Sequence, residues 1–327
     1  MAGETAANGN SNGRGIMLAL MAIMVFGGQD VAGKILVQDY APAQIVMIRY
    51  WSFAAFALFL VMRQGKLRHA FRARRPLVHV LRGALLIADV LLFALAVQTL
   101  PLGELHAVLL LFPILVTVFS IPLLGETIGP FRWGAVFAGF VGSLIILRPG
   151  FGEFDIGLVY GLAAAVVFAL YNVLTRLTAR DDSTATAMLY AGVVGLVVSG
   201  AIGIFYWVPL TLEAWGLIAI TWVSTALGHF LMMRSLHFAP ASLLQPFNFL
   251  MLPWAILMSL IFFGVGIDPI SLVGATIIIA AGLTVTWRER VKARAVTPAM
   301  FAASAGEATT RQQVSAAEMP RDKTPAP

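Results

Sequence analysis

Residues Gly15–Val37 (GIMLALMAIMVFGGQDVAGKILV) form a long apolar run that holds an acid and a base four residues apart, Asp30 and Lys34. The run has a partner. Shifted by 142 positions, it lies without a gap on Gly157–Ala179 (GLVYGLAAAVVFALYNVLTRLTA). Gly15 falls on Gly157, Phe26 on Phe168, Val31 on Val173, Lys34 on Arg176 and Asp39 on Asp181, while Asp30 falls on Asn172. One apolar helix with polar groups inside it, present twice, restricts the chain to architectures built from two copies of a single unit.

The medium follows from charge. Of 327 residues, 59% are hydrophobic and 12% charged, with a mean hydropathy of +0.87. A soluble domain is about one quarter charged, so this chain cannot cover a water-facing surface and reads as a helical integral membrane protein. There is no cysteine, which excludes disulfides and thiolate-bound metals. The net charge of +6 does not point to nucleic acid, because the basic residues sit in short loops and tails. Met1–Arg14 is polar and nearly uncharged, and the run behind it exceeds a signal-peptide core, so a retained first helix is expected.

A bilayer core about 30 Å thick takes roughly 20 apolar residues per crossing. On that measure the chain divides into a tail (1–14), a first repeat (15–148), a linker (149–156), a second repeat (157–287) and a disordered tail (288–327). Spans are expected near 15–37, 43–62, 78–98, 102–124 and 131–147, then near 157–177, 185–206, 215–236, 241–263 and 270–287. The later spans match at an offset drifting to 140, with Pro113 on Pro253, Gly134 on Gly274 and Gly142 on Gly282. Five crossings per unit is odd, so the second copy enters the membrane from the opposite side and the repeats are inverted. Charge tests this independently. The loop between spans two and three carries Arg63, Lys66, Arg68, Arg72, Arg74 and Arg75, whereas its counterpart, WVPLTLEA, has no Lys or Arg. Basic loops mark the cytoplasmic side, so ten helices with both termini cytoplasmic are expected.

Two stretches carry a family pattern. PLGELHAVLLLFPILVTVFSIPLLGETIGPFRWGAVFAGFVGSLIILRP has an apolar helix with a central Pro, then L-G-E, then a Gly-rich helix. APASLLQPFNFLMLPWAILMSLIFFGVGIDPISLVGATIIIAAGL repeats the plan and closes on G-A-x-I-I-I-A-A-G. The chain resembles the drug/metabolite transporter superfamily, EamA type, over residues 15–287. The resemblance implies an all-α fold of ten transmembrane helices in two inverted five-helix repeats, seated in the cell inner membrane. It also implies a carrier of small organic solutes that works by alternating access and needs no cofactor. In that superfamily the solute path is lined mainly by helices one, three and four of each half. Phe26, Asp30 and Lys34, with Arg49 in helix two, resemble branches that include riboflavin and S-adenosylmethionine uptake carriers; other branches export amino acids or drugs. One departure stands out: the second half reads Gly264-Val265 where the first reads Gly125-Glu126.

Ionisable groups in hydrocarbon cost about 2.5–3.5 kcal/mol each on insertion, so the few retained are candidates for function. Asp30, Arg49 and Asp89, with Lys34, are expected on the path of a polar solute or a relayed proton; the alternative is an internal salt bridge that fixes packing, with Lys34 snorkelling to the surface. In the second half the candidates are Asn172, Gln245 and Asn248, followed by Tyr171, Ser224, Thr225 and His229; helix–helix hydrogen bonding is the competing role. His106 reads as an interfacial histidine, Glu126 as a cap, and Asp181-Asp182 as a solvated cap. Pro113 and Pro253 each remove a backbone hydrogen bond and are expected as gating kinks or static bends. The spacings Gly134/Ala138/Gly142 and Gly195/Ser199/Gly203 let helices approach closely; a homodimer face is the lesser alternative. No phosphate loop or H-E-x-x-H motif is present, so an ATP-driven pump or an intramembrane enzyme is not expected. The reading is a secondary transporter of a small metabolite, uptake of riboflavin first, then S-adenosylmethionine uptake or amino-acid and drug export. The proton is the candidate coupling ion.

Overall fold

A segment this apolar must satisfy its own backbone, and the helix is the way a single segment does so. The computed structural model describes residues 2–63, 73–125, 129–147, 155–178, 181–238, 244–284, 287 and 288, and among them all regular structure is helical. The first half holds α1 (Ala2–Asp39), α2 (Pro42–Arg63), α3 (Pro76–Thr99), α4 (Leu102–Leu109), α5 (Phe112–Leu124) and α6 (Pro130–Leu147). The second holds α7 (Ile156–Thr178), α8 (Thr184–Gly203), α9 (Leu212–Phe238), α10 (Met251–Phe263), entered through a 3-10 turn over Gln245–Leu250, and α11 (Pro269–Thr284). Among the described residues seven stretches are long and apolar enough to cross a membrane, with α4 and α5 counting as one, and three further apolar helices are shorter. α1 continues in helical form through the polar segment expected as a tail. The described residues up to Leu283 form one unit; the tail expected over 288–327 lies, Arg288 apart, outside the described residues.

Local chemistry sets the helix ends. Pro42, Pro76 and Pro130 open α2, α3 and α6, where a missing N–H costs nothing. Gly125 and Gly264 close α5 and α10 with φ of 69° and 67°, their N–H groups donating to Ile121 O and Leu260 O at 3.1 Å. The two halves thus use the same left-handed stop, although only the first follows it with an acid. Glu126 itself lies outside the described residues.

The packing partners reveal the symmetry. The principal pairings are α1 with α9 and α3 with α7, and exchanging the two repeats turns the one pair into the other. α2 packs on α8, a pair that is its own counterpart, and α4 packs on α10. α6 crosses α11 where a Cβ on Gly142 would come 2.7 Å from Gly274 O. Gly195 and Gly203 of α8 make room for Tyr50 and Met47 of α2. These small residues therefore serve contacts within the chain, whereas Gly134 faces open space. Val31, Leu36, Ile45, Ile48, Val97, Leu102 and Ile218 build the main core, and Phe137, Val197, Phe205, Leu212 and Val223 stand exposed, as lipid-facing residues do.

The antiparallel halves show at the bundle ends. Gln44, near the start of α2, exchanges hydrogen bonds with Val208 O (2.7 Å) and Val208 N (3.1 Å). Arg74 and Arg75, which precede α3, meet Asp181, which follows α7. The loops before α9 and before α3 are therefore at opposite ends, termed below the Asp39 end and the Arg63 end.

The fourth span is interrupted at its proline. α4 stops at Leu109 and α5 begins at Phe112, with Pro113 at its second position. Pro113 has no N–H to offer Leu109 O, and the chain tightens there: Leu111 N donates to Val108 O at 3.1 Å. Pro253 stands in the first turn of α10, just after the 3-10 turn. Both prolines thus sit at breaks between helical segments.

Candidate functional site

Helix rise sets depth. At about 1.5 Å per residue, Asp30, Arg49 and Asp89 lie about 10–15 Å from the Asp39 end, well inside the hydrocarbon. They come from three helices. Asp30, on α1, has its Oδ2 3.0 Å from His106 Nε2 on α4. The two side chains are 14% and 11% exposed, so the contact is largely desolvated, and Phe93 packs edge-on against the imidazole with centroids 6.0 Å apart. Arg49, on α2, is within Coulombic reach of Asp30, yet the two form no ion pair. Among the described residues the Arg49 guanidinium has no hydrogen-bond partner. Asp89, on α3, is half-buried and within Coulombic reach of the Tyr50 hydroxyl, as is Tyr171 on α7. Its carboxylate also has no hydrogen-bond partner among the described residues.

Lys34 shares a helix with Asp30 but is engaged elsewhere. Its Nζ donates to Val97 O and Leu100 O, both at 2.7 Å, and lies 5.5 Å from the Phe263 ring centroid. An ammonium at the last carbonyls of α3 satisfies acceptors the helix cannot satisfy itself and complements its dipole. Asn172 donates to Phe168 O of its own helix at 2.7 Å. Asn248, in the 3-10 turn, is half-buried and partnered; Gln245 opens that turn, with its side chain outside the described residues. Thr225 Oγ1 lies 2.7 Å from both Gln29 Oε1 and Thr221 O, and His229 Nδ1 lies 2.8 Å from Thr225 O. The structure thus pairs Asp30 with His106, with Arg49 within Coulombic reach of Asp30 and Asp89 within Coulombic reach of Tyr50, and leaves Lys34 and Asn172 on backbone carbonyls.

A second polar group closes the Arg63 end. Asp181 pairs with Arg74 (3.3 Å) and Arg75 (3.2 Å). Asp182 accepts from the Arg74 N–H at 3.0 Å and lies 3.0 Å from Nε2 of the fully buried His79. A carboxylate only accepts, so His79 carries its proton on Nε2. Burial pushes the Asp182 carboxyl up, but hydrogen bonds from the Arg74 N–H and the His79 ring, the His79 charge and the Arg75 N–H outweigh it and hold Asp182 below its ordinary value. One turn further in, Arg82 donates to Thr175 Oγ1 (3.3 Å) and to Ala187 O, and stacks over Tyr171 at 5.4 Å. No motif in the sequence marks this network. Its one available signal was opposite charge, Arg74-Arg75 against Asp181-Asp182, on loops expected to share a side.

Comparison with known proteins decides the family. The model of the EamA-like transporter family matches twice, over residues 13–148 and 155–287. The chain belongs to the EamA-like transporter family. This EamA-like transporter is 26% identical to the S-adenosylmethionine uptake transporter of Rickettsia bellii, over 84% of this chain and 94% of that one. It is 26% identical to the riboflavin transporter of Vibrio cholerae, over 81% and 90%. It is 24% identical to the pseudopaline exporter CntI of Pseudomonas aeruginosa, over 82% and 94%. A crystal structure with 17% identity superposes with a TM-score of 0.58, covering 84% of this EamA-like transporter and 97% of that chain, which speaks to the fold alone.

Proposed function

We propose that this transporter is a secondary carrier that takes up a small organic metabolite by alternating access, with Asp30, His106, Arg49 and Asp89 at its centre. The observation that carries the reading is that two ionisable side chains at mid-depth in the bundle, Arg49 and Asp89, have no hydrogen-bond partner among the described residues. Ionised groups are retained there when a solute, an ion or water completes them. Relatives named for riboflavin and for S-adenosylmethionine uptake support the two solutes equally. The protein sits in the inner membrane with the Arg63 end cytoplasmic, because the basic residues gather there. Asn172, Gln245 and Asn248 line the second-half side of the path, Lys34 holds its outer rim to α3, and Pro113 and Pro253 are the points at which α4–α5 and α10 flex. Protons couple through Asp30 and His106.

The test is uptake and counterflow of labelled riboflavin and S-adenosylmethionine in proteoliposomes, with rescue of a riboflavin auxotroph beside it. Saturable uptake with counterflow of either solute supports the carrier. Export is the second reading, favoured by the Pseudomonas relative; resistance to toxic amino-acid analogues without rescue would replace uptake by export.

A further inference from the structure

Resting on the carrier reading, we propose that the site takes the amino-acid end of a zwitterionic solute, with the solute's carboxylate on the Arg49 guanidinium and its ammonium on the Asp30 carboxylate. The argument starts from a contact that is not made. Asp30 and Arg49 stand on α1 and α2, within Coulombic reach. An arginine and a carboxylate this near in hydrocarbon gain most by closing into a bidentate pair, because each isolated ion is costly there. They do not close. His106 holds Asp30 by Oδ2 at 3.0 Å, and Phe93 braces His106. Asp30 is thereby fixed from behind, and among the described residues its Oδ1 accepts no hydrogen bond. The result is an acceptor and a planar donor fork at similar depth on neighbouring helices, with the Asp30 Oδ1 and the Arg49 guanidinium both without a hydrogen bond among the described residues.

That polarity selects a chemistry. A carboxylate fits the guanidinium fork in two parallel hydrogen bonds. An ammonium supplies donors only, as the free Asp30 oxygen requires. One solute carrying both groups on a single carbon neutralises both charges at once. A neutral planar ring system would leave Arg49 ionised and unpaired at mid-depth. Of the two solutes in the carrier reading, S-adenosylmethionine has the α-amino-acid end and riboflavin does not.

The experiment deletes one group from each side of the contact. Uptake of S-adenosylmethionine and of its decarboxylated form is measured in proteoliposomes for the wild type, Arg49→Gln and Arg49→Lys. Each variant is first checked for a monodisperse elution and a wild-type melt. In the wild type, loss of the solute carboxylate is expected to raise KM about tenfold or more, the weight of a charged hydrogen-bonded pair. In Arg49→Gln the two solutes are expected to have equal KM, and in Arg49→Lys the discrimination falls between. Unchanged discrimination in Arg49→Gln overturns the proposal. So does riboflavin uptake that S-adenosylmethionine neither shares nor inhibits, an outcome that leaves the carrier reading intact. Absence of saturable uptake of either solute by folded protein removes the carrier reading and this inference with it. If Arg49→Gln does not fold, the wild type decides alone, and equal KM for the two forms is the overturning result.

Discussion

Lys34 shows how one side chain is recruited by a helix end. In the sequence it is an i+4 neighbour of Asp30, and that spacing placed both on one helix face. Its four-carbon stem is long enough to reach the last turn of α3, where Val97 O and Leu100 O have no intrahelical donor. Hydrogen bonds to a charged group contribute about 1.5–3 kcal/mol each. Lys34→Met is therefore expected to lower the stability of the detergent-solubilised protein by roughly 2–4 kcal/mol, read as a fall in melting temperature, and Lys34→Arg to restore part of it. Asp30, Arg49 and Asp89 were legible as intramembrane charges. What the sequence could not give was pairing. That Asp30 meets His106 rather than Arg49 depends on where packing against α7 and α10 holds α4, which is set by tertiary structure rather than by spacing along a chain.

At the scale of elements, the order and number of the helices were readable because twenty-residue apolar runs leave the backbone no other choice. The interruptions were only half readable. Pro113 stands where α4 ends and α5 begins, with Leu110 and Leu111 still in the right-handed helical region, and a proline at the second position of a helix has no bond to lose. The equivalent Pro253 follows a 3-10 turn. Replacing Pro113 by Ala returns a donor for Leu109 O and favours an unbroken helix. If the break is a flexing point, Pro113→Ala and Pro253→Ala are expected to lower kcat for net uptake about tenfold at near-constant KM, measured by initial-rate uptake. The crossing of α6 and α11 has no such slack. A Cβ on Gly142 would stand 2.7 Å from a backbone oxygen that cannot rotate away, so Gly142→Ala is expected to destabilise by about 1–3 kcal/mol, again read as a melting shift.

For the whole molecule, the Arg63 end behaves as a clasp between the repeats: α3 brings Arg74, Arg75 and His79, and the α7–α8 connection brings Asp181 and Asp182. Its dependence on pH has a definite sign. The folded-state pKa of Asp182 lies below its ordinary value of 3.8, so the clasp's contribution is complete above that value and is lost as pH falls through the lower one. Melting temperature is expected to drop more steeply between about pH 4 and pH 3 in the wild type than in Asp182→Asn, in which that carboxyl no longer titrates. The inversion of the repeats was legible from arithmetic, an odd number of crossings with opposite loop charge. The clasp was not, because Asp181 and Asp182 acquire their meaning only when a loop more than a hundred residues earlier arrives beside them.

The way the repeats embrace has a consequence for descent. α1 leans on α9 and α3 on α7, while α2 and α6 each cross their own copies, so a solitary half would leave its broadest faces bare in lipid. A single-copy ancestor could have been sheltered only by a sibling threaded upside-down through the same bilayer. The arginine-laden hairpin of one half and the hairpin without Lys or Arg in the other give the two halves opposite insertion signals, so each copy carries its own instruction for the way it enters the bilayer.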